Sequence, residues 1–330
     1  MFALRSLSRS VTRDSISNVI AYQYKACLSF VTVSHHPHHI LDASNGNATR
    51  YHYQYQTQRT LILEPSASEF VKLHKLQHSD SGIVEVSLDR AKNKNAIDTK
   101  LMRGLKHALE LINQDSSTNV AIITSSVPGV YCAGADLKER KTFSASEVRE
   151  YSKALRATFS FLERLPIPTI AAVEGAALGG GLELALACDF RICGEDALLG
   201  LPETGHAIIP GAGATRRLPR LISKAIAKDL ILTGRRVYGR EAEALGLANY
   251  CVPAGEAYTK ALEVARNINE KGPIAVRAGK RAIEEGLLIS DPEEAADLEE
   301  ACYEMTLNTK DRLEGLAAFV EKRKPNYKGE

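Results

Sequence analysis

Apolar positions are patterned in the body of this chain and unpatterned in its first sixty-odd residues. Gly82 to Leu88 predicts a strand, Asp98 to Leu111 a helix, Val120 to Ser125 a buried strand, Ser144 to Leu165 a second helix and Thr169 to Val173 a second buried strand. Such alternation predicts a layered α/β domain, with the body beginning near Phe70. Beyond Ala257 the strand signals stop. Ala257 to Lys271, Pro273 to Gly286, Pro292 to Thr306 and Thr309 to Lys322 each predict a helix. Leu298, Ala301, Cys302 and Met305 recur at helical spacing, as do Leu313, Leu316, Phe319 and Val320; these faces pack either within the chain or against another subunit.

With 330 residues, 44% of them apolar, the chain is long enough for one large domain with an appendage. Its net charge of +2 is unevenly spread: residues 1–63 hold six of the 42 Lys/Arg and two of the 40 Asp/Glu, which leaves the remainder at −2. A body so near neutrality offers no concentrated basic face for nucleic acid. Arg5, Arg9 and Arg13, spaced by apolar residues and serines with no acid before Asp14, make the pattern of an amphipathic organellar presequence, and no compact apolar core marks it for secretion. Mitochondrial matrix import is the expectation, plastid import the alternative. His35, His36, His38 and His39 belong to this leader and to no predicted scaffold, so they are not read as a metal site. Six scattered cysteines form no CxxC pair, and no uncharged apolar run is long enough to span a membrane.

The chemistry concentrates between residues 128 and 213. After the buried strand ending at Val173 comes Gly175-Ala-Ala-Leu-Gly-Gly-Gly-Leu-Glu183, whose glycines present bare backbone N–H groups at a helix N-terminus, where developing negative charge is stabilised. Upstream, Val120 to Ser125 runs into Pro128-Gly-Val-Tyr-Cys-Ala-Gly-Ala-Asp-Leu-Lys138, a second turn of small residues able to face the same carbonyl. Glu183 lies in the first turns of the helix and Glu203 on a separate loop edged by Pro202, so two carboxylates can converge beside an oxyanion. Competing motifs fail. Gly179-x-Gly181 and Gly211-x-Gly213 lack the third glycine of a dinucleotide fingerprint, and neither GxxxxGK[ST] nor GxSxG occurs.

Cys132-Ala-Gly-Ala-Asp-Leu-Lys138, Ala177-Leu-Gly-Gly-Gly-Leu-Glu-Leu-Ala185, Pro202-Glu203 and Ile209-Pro-Gly-Ala-Gly213, in this order and spacing, resemble the enoyl-CoA hydratase/isomerase (crotonase) family. Lys310-Asp-Arg-Leu-Glu-Gly315 and Phe319-Val-Glu-Lys-Arg323 add its C-terminal signature. The resemblance extends from about Ile83 to Glu330 and leans to the mitochondrial methylglutaconyl-CoA hydratase type. It implies an α/β spiral of ββα units with a C-terminal helical trimerisation region, commonly a homo-hexamer built as a dimer of trimers. The corresponding division is a leader over 1–65, a spiral core over 66–265 and an oligomerisation region over 266–330.

By the same resemblance, the N–H groups of Ala135 and Gly180 form an oxyanion hole, Glu183 is a catalytic base and Glu203 a catalytic acid. Ala133, Asp136, Leu137 and Lys138 follow the coenzyme A path, Lys92 lies near its nucleotide, and Tyr303 and Lys322 reach it from the C-terminal region. No metal or redox cofactor is implied, coenzyme A being part of the substrate. The implied activity is hydration of a short-chain 2-enoyl-CoA; the alternatives are methylglutaconyl-CoA hydration in leucine degradation and enoyl-CoA isomerisation. Retention of both glutamates favours hydration over isomerisation. A secondary RNA-binding role through Lys100, Arg103, Lys106 and His107 is not expected, because Glu110 and the near-neutral body dilute that field. Two departures stand out. The family's Gly-Thr-Gln-Arg run is replaced here by Ala214-Thr-Arg-Arg217, and Thr204-Gly-His206 follows the second glutamate where the acyl tail is shaped. His206 is either a contact for a polar acyl group or an ordinary loop histidine, the latter being preferred.

Overall fold

The computed structural model describes Thr60, Leu61 and residues 69–330; Arg5, Arg9 and Arg13 of the candidate leader, its histidines and Cys27 lie outside them. Strand β1 (Thr60–Leu61) pairs antiparallel with β2 (Val71–Lys75), which pairs antiparallel with β3 (Ile83–Leu88). β1 falls within the 1–65 stretch assigned from sequence to the leader, so the sheet reaches upstream of residue 66.

From β4 to β9 the chain gives strands alternately to this sheet and to a second, smaller one. β4 (Val120–Ser125) is followed by β5 (Val130–Cys132), β6 (Thr169–Val173) by β7 (Ala176–Leu178), and β8 (Phe190–Gly194) by β9 (Leu198–Gly200). β10 (Arg236–Tyr238) and β11 (Tyr250–Val252) complete sheets ordered β1-β2-β3-β4-β6-β8-β11 and β10-β9-β7-β5. β3, β4, β6, β8 and β11 are mutually parallel, as are β5, β7 and β9. Parallel neighbours separated by a strand of the other sheet make the spiral of ββα repeats that the resemblance implied.

Helices enter where local chemistry starts them. α1 (Thr99–Gln114) begins at Asp98, whose carboxylate accepts from the Leu101 N–H at 2.7 Å, a cap worth about 1 kcal/mol. Its buried stripe is Leu101, Leu105, Leu109 and Ile112. α2 (Leu137–Arg140) is a single turn capped by Asp136, and α3 (Ala145–Glu163) opens with a Ser144/Glu147 capping box. α4 (Gly180–Leu186) follows β7, α5 (Ala214–Leu221) and α6 (Lys224–Thr233) follow β9, and α7 (Gly239–Ala244) joins β10 to β11.

The large sheet is covered on both faces, which is why its strands read as apolar runs. In β4, Ala121 and Ile123 enter the main core, whereas Val120 and Ile122 enter a second cluster with Ala257, Ala261, Val264 and Ala265 of α8 (Ala257–Asn269). The last helices, α9 (Pro273–Gly286), α10 (Pro292–Leu307) and α11 (Lys310–Glu321), bury only Ala278, Cys302, Asp311 and Ala318. Tyr303, Met305, Leu313, Leu316, Phe319 and Val320 are exposed, Phe319 at 84%. Of the two fates left open by the sequence, packing within the chain is therefore not the one these side chains meet.

Candidate active site

A cavity of about 150 Å³ opens where β5, β7 and β9 end and α2, α3 and α4 begin. Glu183, Glu203 and the backbones of Ala135 and Gly180 line it together. Pairing geometry aims the Ala135 amide. Ile97 donates to the Gly134 carbonyl (2.7 Å) and accepts from the Asp136 N–H (2.9 Å), so the intervening Ala135 turns its own N–H away from Ile97. Gly180 is the first residue of α4, where an N–H has no partner in the helix. A methyl group on Gly180 would stand 3.5 Å from the Ala135 nitrogen, so the two amides are close neighbours.

The glycines let these elements meet. A Cβ on Gly181 would lie 2.1 Å from the Cys132 carbonyl oxygen, so α4 approaches β5 only because position 181 has no side chain.

Glu183 is 2% exposed, and its Oε1 accepts from the Ala212 (2.8 Å) and Ala214 (3.0 Å) N–H groups, leaving Oε2 to the cavity. Burial raises its pKa, against which those amides and the nearby Arg217 favour the charged form. Arg217 holds the amide loop in place: it donates to the Ala212 carbonyl (2.9 Å) and grips Glu163 with Nε (3.0 Å) and Nη2 (2.9 Å). Glu203 stands in the 3₁₀ turn Pro202–His206, and its buried Oε2 has no hydrogen-bond partner. Burial first, and repulsion from Glu183 second, push its carboxyl up to about 7. The two acids thus differ: burial raises both, but fixed amides favour the charged form of Glu183, whereas Glu203 is pushed up to about 7.

Of the residues expected along the coenzyme path, Ala133, Ala135, Leu137 and Gly180 line the cavity; Lys92, Asp136, Lys138, Tyr303 and Lys322 do not. Asp136 is committed elsewhere. Its carboxylate caps α2 and accepts from Arg90 (2.8 Å) and Asn93 (3.1 Å), which pins the loop carrying Ala135. Lys92, Lys138, Tyr303 and Lys322 are exposed. Arg90, Arg140, Tyr151 and Arg217 were not singled out from sequence, because an arginine or tyrosine outside a motif carries no mark of where it folds. Among the described residues no group of His, Cys, Asp or Glu could hold a metal ion, and Cys132, Cys188, Cys193 and Cys302 are buried thiols.

Backbone amides of two turns and two unlike carboxylates thus line one cavity of an α/β spiral. A sequence profile for enoyl-CoA hydratase/isomerase matches residues 78–330, and the chain belongs to that family. It is 60% identical over 277 residues to the probable mitochondrial enoyl-CoA hydratase 2 of Arabidopsis thaliana, covering 84% of this chain and 92% of that protein. Mitochondrial methylglutaconyl-CoA hydratase of Homo sapiens is 46% identical over 271 residues, covering 81% and 80% respectively. Among solved structures, an enoyl-CoA hydratase from Bacillus anthracis superimposes with a TM-score of 0.76 at 46% identity, over 79% of this chain and all of that one. The fold is the crotonase spiral, and no helix among the described residues is long and apolar enough to cross a membrane.

Proposed function

We propose that the protein adds water across the 2,3 double bond of a short-chain 2-enoyl-CoA, giving a 3-hydroxyacyl-CoA. The observation that carries this reading is the convergence of Glu183, Glu203 and the Ala135 and Gly180 backbones on one cavity. The two N–H groups receive the thioester oxygen, making C3 electrophilic and stabilising enolate charge as it develops, at roughly 3–4 kcal/mol per donor. Glu183 takes a proton from water as its oxygen bonds to C3, and Glu203 delivers a proton to C2. The assignment follows the electrostatics: the amide-held carboxylate is the base and the acid raised to about 7 is the donor. Addition of water is redox-neutral, and the amides supply the polarisation, so the reaction as drawn calls on no further cofactor.

Copies of the chain assemble, in this proposal, through the exposed apolar faces of α10 and α11, as a trimer and then a hexamer, and the arginine-bearing leader directs the protein to the mitochondrial matrix. The test is kinetic. Glu183→Gln and Glu203→Gln should each lower crotonyl-CoA hydration by at least 100-fold without loss of fold, a factor typical of removing a general acid or base. Robust hydration by either variant sinks the two-glutamate mechanism. A second reading, hydration of a branched acid such as methylglutaconyl-CoA, is favoured by the basic groups that share the cavity, Arg140 and His206.

A further inference from the structure

The Ala135 amide is aimed by a contact between two loops, and one arginine ties those loops together. Ile97 and Ala135 form a parallel bridge outside any strand, and each is followed by an aspartate, Asp98 and Asp136. Arg90 reaches both. Its Nη2 lies 2.9 Å from Asp98 Oδ2, and its Nη1 donates to Asp136 Oδ2 at 2.8 Å and to the Ala96 carbonyl at 2.7 Å. The side chain is 13% exposed, with its guanidinium over the Phe70 ring, 5.3 Å from the centroid. The Arg90 backbone N–H donates to Asn95 Oδ1 (2.7 Å), and fully buried Asn95 donates onward to Ser125 Oγ (2.7 Å) and the Tyr131 carbonyl (2.9 Å). Arg90 is thus fixed at its root by Asn95 and at its tip by two carboxylates and a ring.

A bridge of one residue pair has no ladder around it to keep its direction, so its neighbours must. On one side the Ile97 carbonyl accepts from both the Asp136 N–H (2.9 Å) and the Tyr151 hydroxyl (2.6 Å), which uses both of its lone pairs. On the other side Gly134 has φ +97°, so the peptide it shares with Ala135 is held by its partners rather than by its own sterics. Asp136 is where that turn is gripped. Its carboxylate accepts from Asn93, from the Lys138 and Glu139 N–H groups of α2 and from Arg90. Burial works against its charge, yet Arg90 and the α2 amides outweigh burial and hold the carboxyl below its ordinary range. Asp98 caps α1 in the same way, so one guanidinium joins the N-termini of α1 and α2 beside the bridge. Serving two carboxylates from two nitrogens needs the planar fork of arginine.

We propose that Arg90 is a positioning residue of the oxyanion pocket: by holding Asp98 and Asp136 together it sets the direction of the Ala135 N–H, and with it how strongly the thioester carbonyl is polarised. This role rests on the acyl-CoA reading of the cavity and deepens it. Arg90 is not among the residues that line the cavity, so it acts through the loop rather than on the substrate. A donor turned off its line still admits the ligand but stabilises less of the charge that develops in the transition state. Loss of Arg90 therefore falls on kcat more than on KM.

The carbonyl itself reports the outcome. Butyryl-CoA has no double bond to hydrate, and isotopic labelling of its thioester carbon isolates one infrared band. Bound to the wild-type protein, that band should lie below its position in free butyryl-CoA; in Arg90→Met it should return roughly halfway or more. With crotonyl-CoA the same variant should lose about 10- to 100-fold in kcat, the range for a misplaced group, with KM held within about threefold. Arg266→Met, which breaks the Arg266–Asp80 pair (2.7 and 2.8 Å) on α8, should lower stability and leave the band in place, as loss of a purely structural ion pair does. An unmoved band in Arg90→Met overturns the role, whatever happens to the melting temperature. Should that variant fail to fold, Arg90→Lys decides: a lysine cannot hold both carboxylates as the fork does, so a wild-type band and kcat there overturn the clamp. If butyryl-CoA does not bind, or its band does not move on binding to wild type, the oxyanion reading falls and the role of Arg90 with it. If the band shifts as described while crotonyl-CoA is not hydrated, the hydratase reading alone fails.

Discussion

Gly179 and Glu203 occupy each other's space: a Cβ on Gly179 would lie 2.9 Å from Glu203 Oε1, inside normal contact distance. Gly179 also sits at φ +53° and ψ −122°, a conformation that L side chains rarely adopt, where strain costs on the order of 1–3 kcal/mol. One glycine thus shapes both the entry to α4, which carries the Gly180 amide, and the seat of the second acid. Gly179→Ala should lower kcat at least tenfold with a modest fall in melting temperature. A variant that melts early yet turns over at the wild-type rate would mean that the carboxylate does not depend on this gap.

The rate should depend on pH from two sides. As general base Glu183 must be ionised, so activity is lost as pH falls through a pKa that burial places above the usual 4.5. As general acid Glu203 must hold its proton, so activity is lost as pH rises through about 7. A kcat profile that stays flat well above pH 7 would remove Glu203 from the donor role.

Stability should carry the same signature. Folding raises the pKa of Glu203 from 4.5 to about 7, so the folded state binds its proton more tightly. The resulting stabilisation is present in full below pH 4.5 relative to the ionised state, and is lost as pH rises through about 7. Glu203→Gln, which cannot ionise, should therefore gain on wild type by about 1–2 kcal/mol across that window, after discounting for the part of the side chain that meets solvent. Urea titrations at the two ends of the window measure the difference.

Arg217 is a positioning residue. It is 6% exposed and ties Glu163 to the Ala212 carbonyl, and so to the loop whose amides grip Glu183. Arg217→Met leaves Glu163 with Arg216 alone and should cost about 2–4 kcal/mol, toward the range for breaking a buried pair. The catalytic readout is specific: with Glu183 less firmly held, the acid limb of the pH profile moves upward. A purely structural residue would lower stability and leave that limb in place.

Phe319 and Val320, 84% and 79% exposed on α11, are costly to leave in water. Phe319→Asp should lower the molar mass seen by light scattering while the helical signal of the subunit is retained. An unchanged mass would show that this face is not where copies meet.

Much of the architecture was legible because each element is specified locally. β6 runs over Thr169–Val173 and α9 over Pro273–Gly286, as periodicity predicted, and Asp98 and Ser144 cap α1 and α3 where the two helices were expected to start. The three-residue strands β5, β7, β9, β10 and β11 were not read, since so short a run shows no period; Val130 to Cys132 and Ala176 to Leu178 look like turns until neighbouring coils of the spiral pair with them. Sequence alone determined the family and pointed to the two glutamates and glycine-rich turns that line the cavity, because those depend on residue type and spacing along the chain. Only the tertiary structure decided that Asp136 holds a loop, that Arg217 reaches the Glu183 loop, and that Arg140 stands beside Glu203 with no salt-bridge partner among the described residues. Those outcomes depend on which surfaces the spiral brings into contact, and a charged side chain's partner, burial and pKa are properties of that contact rather than of its place in the sequence.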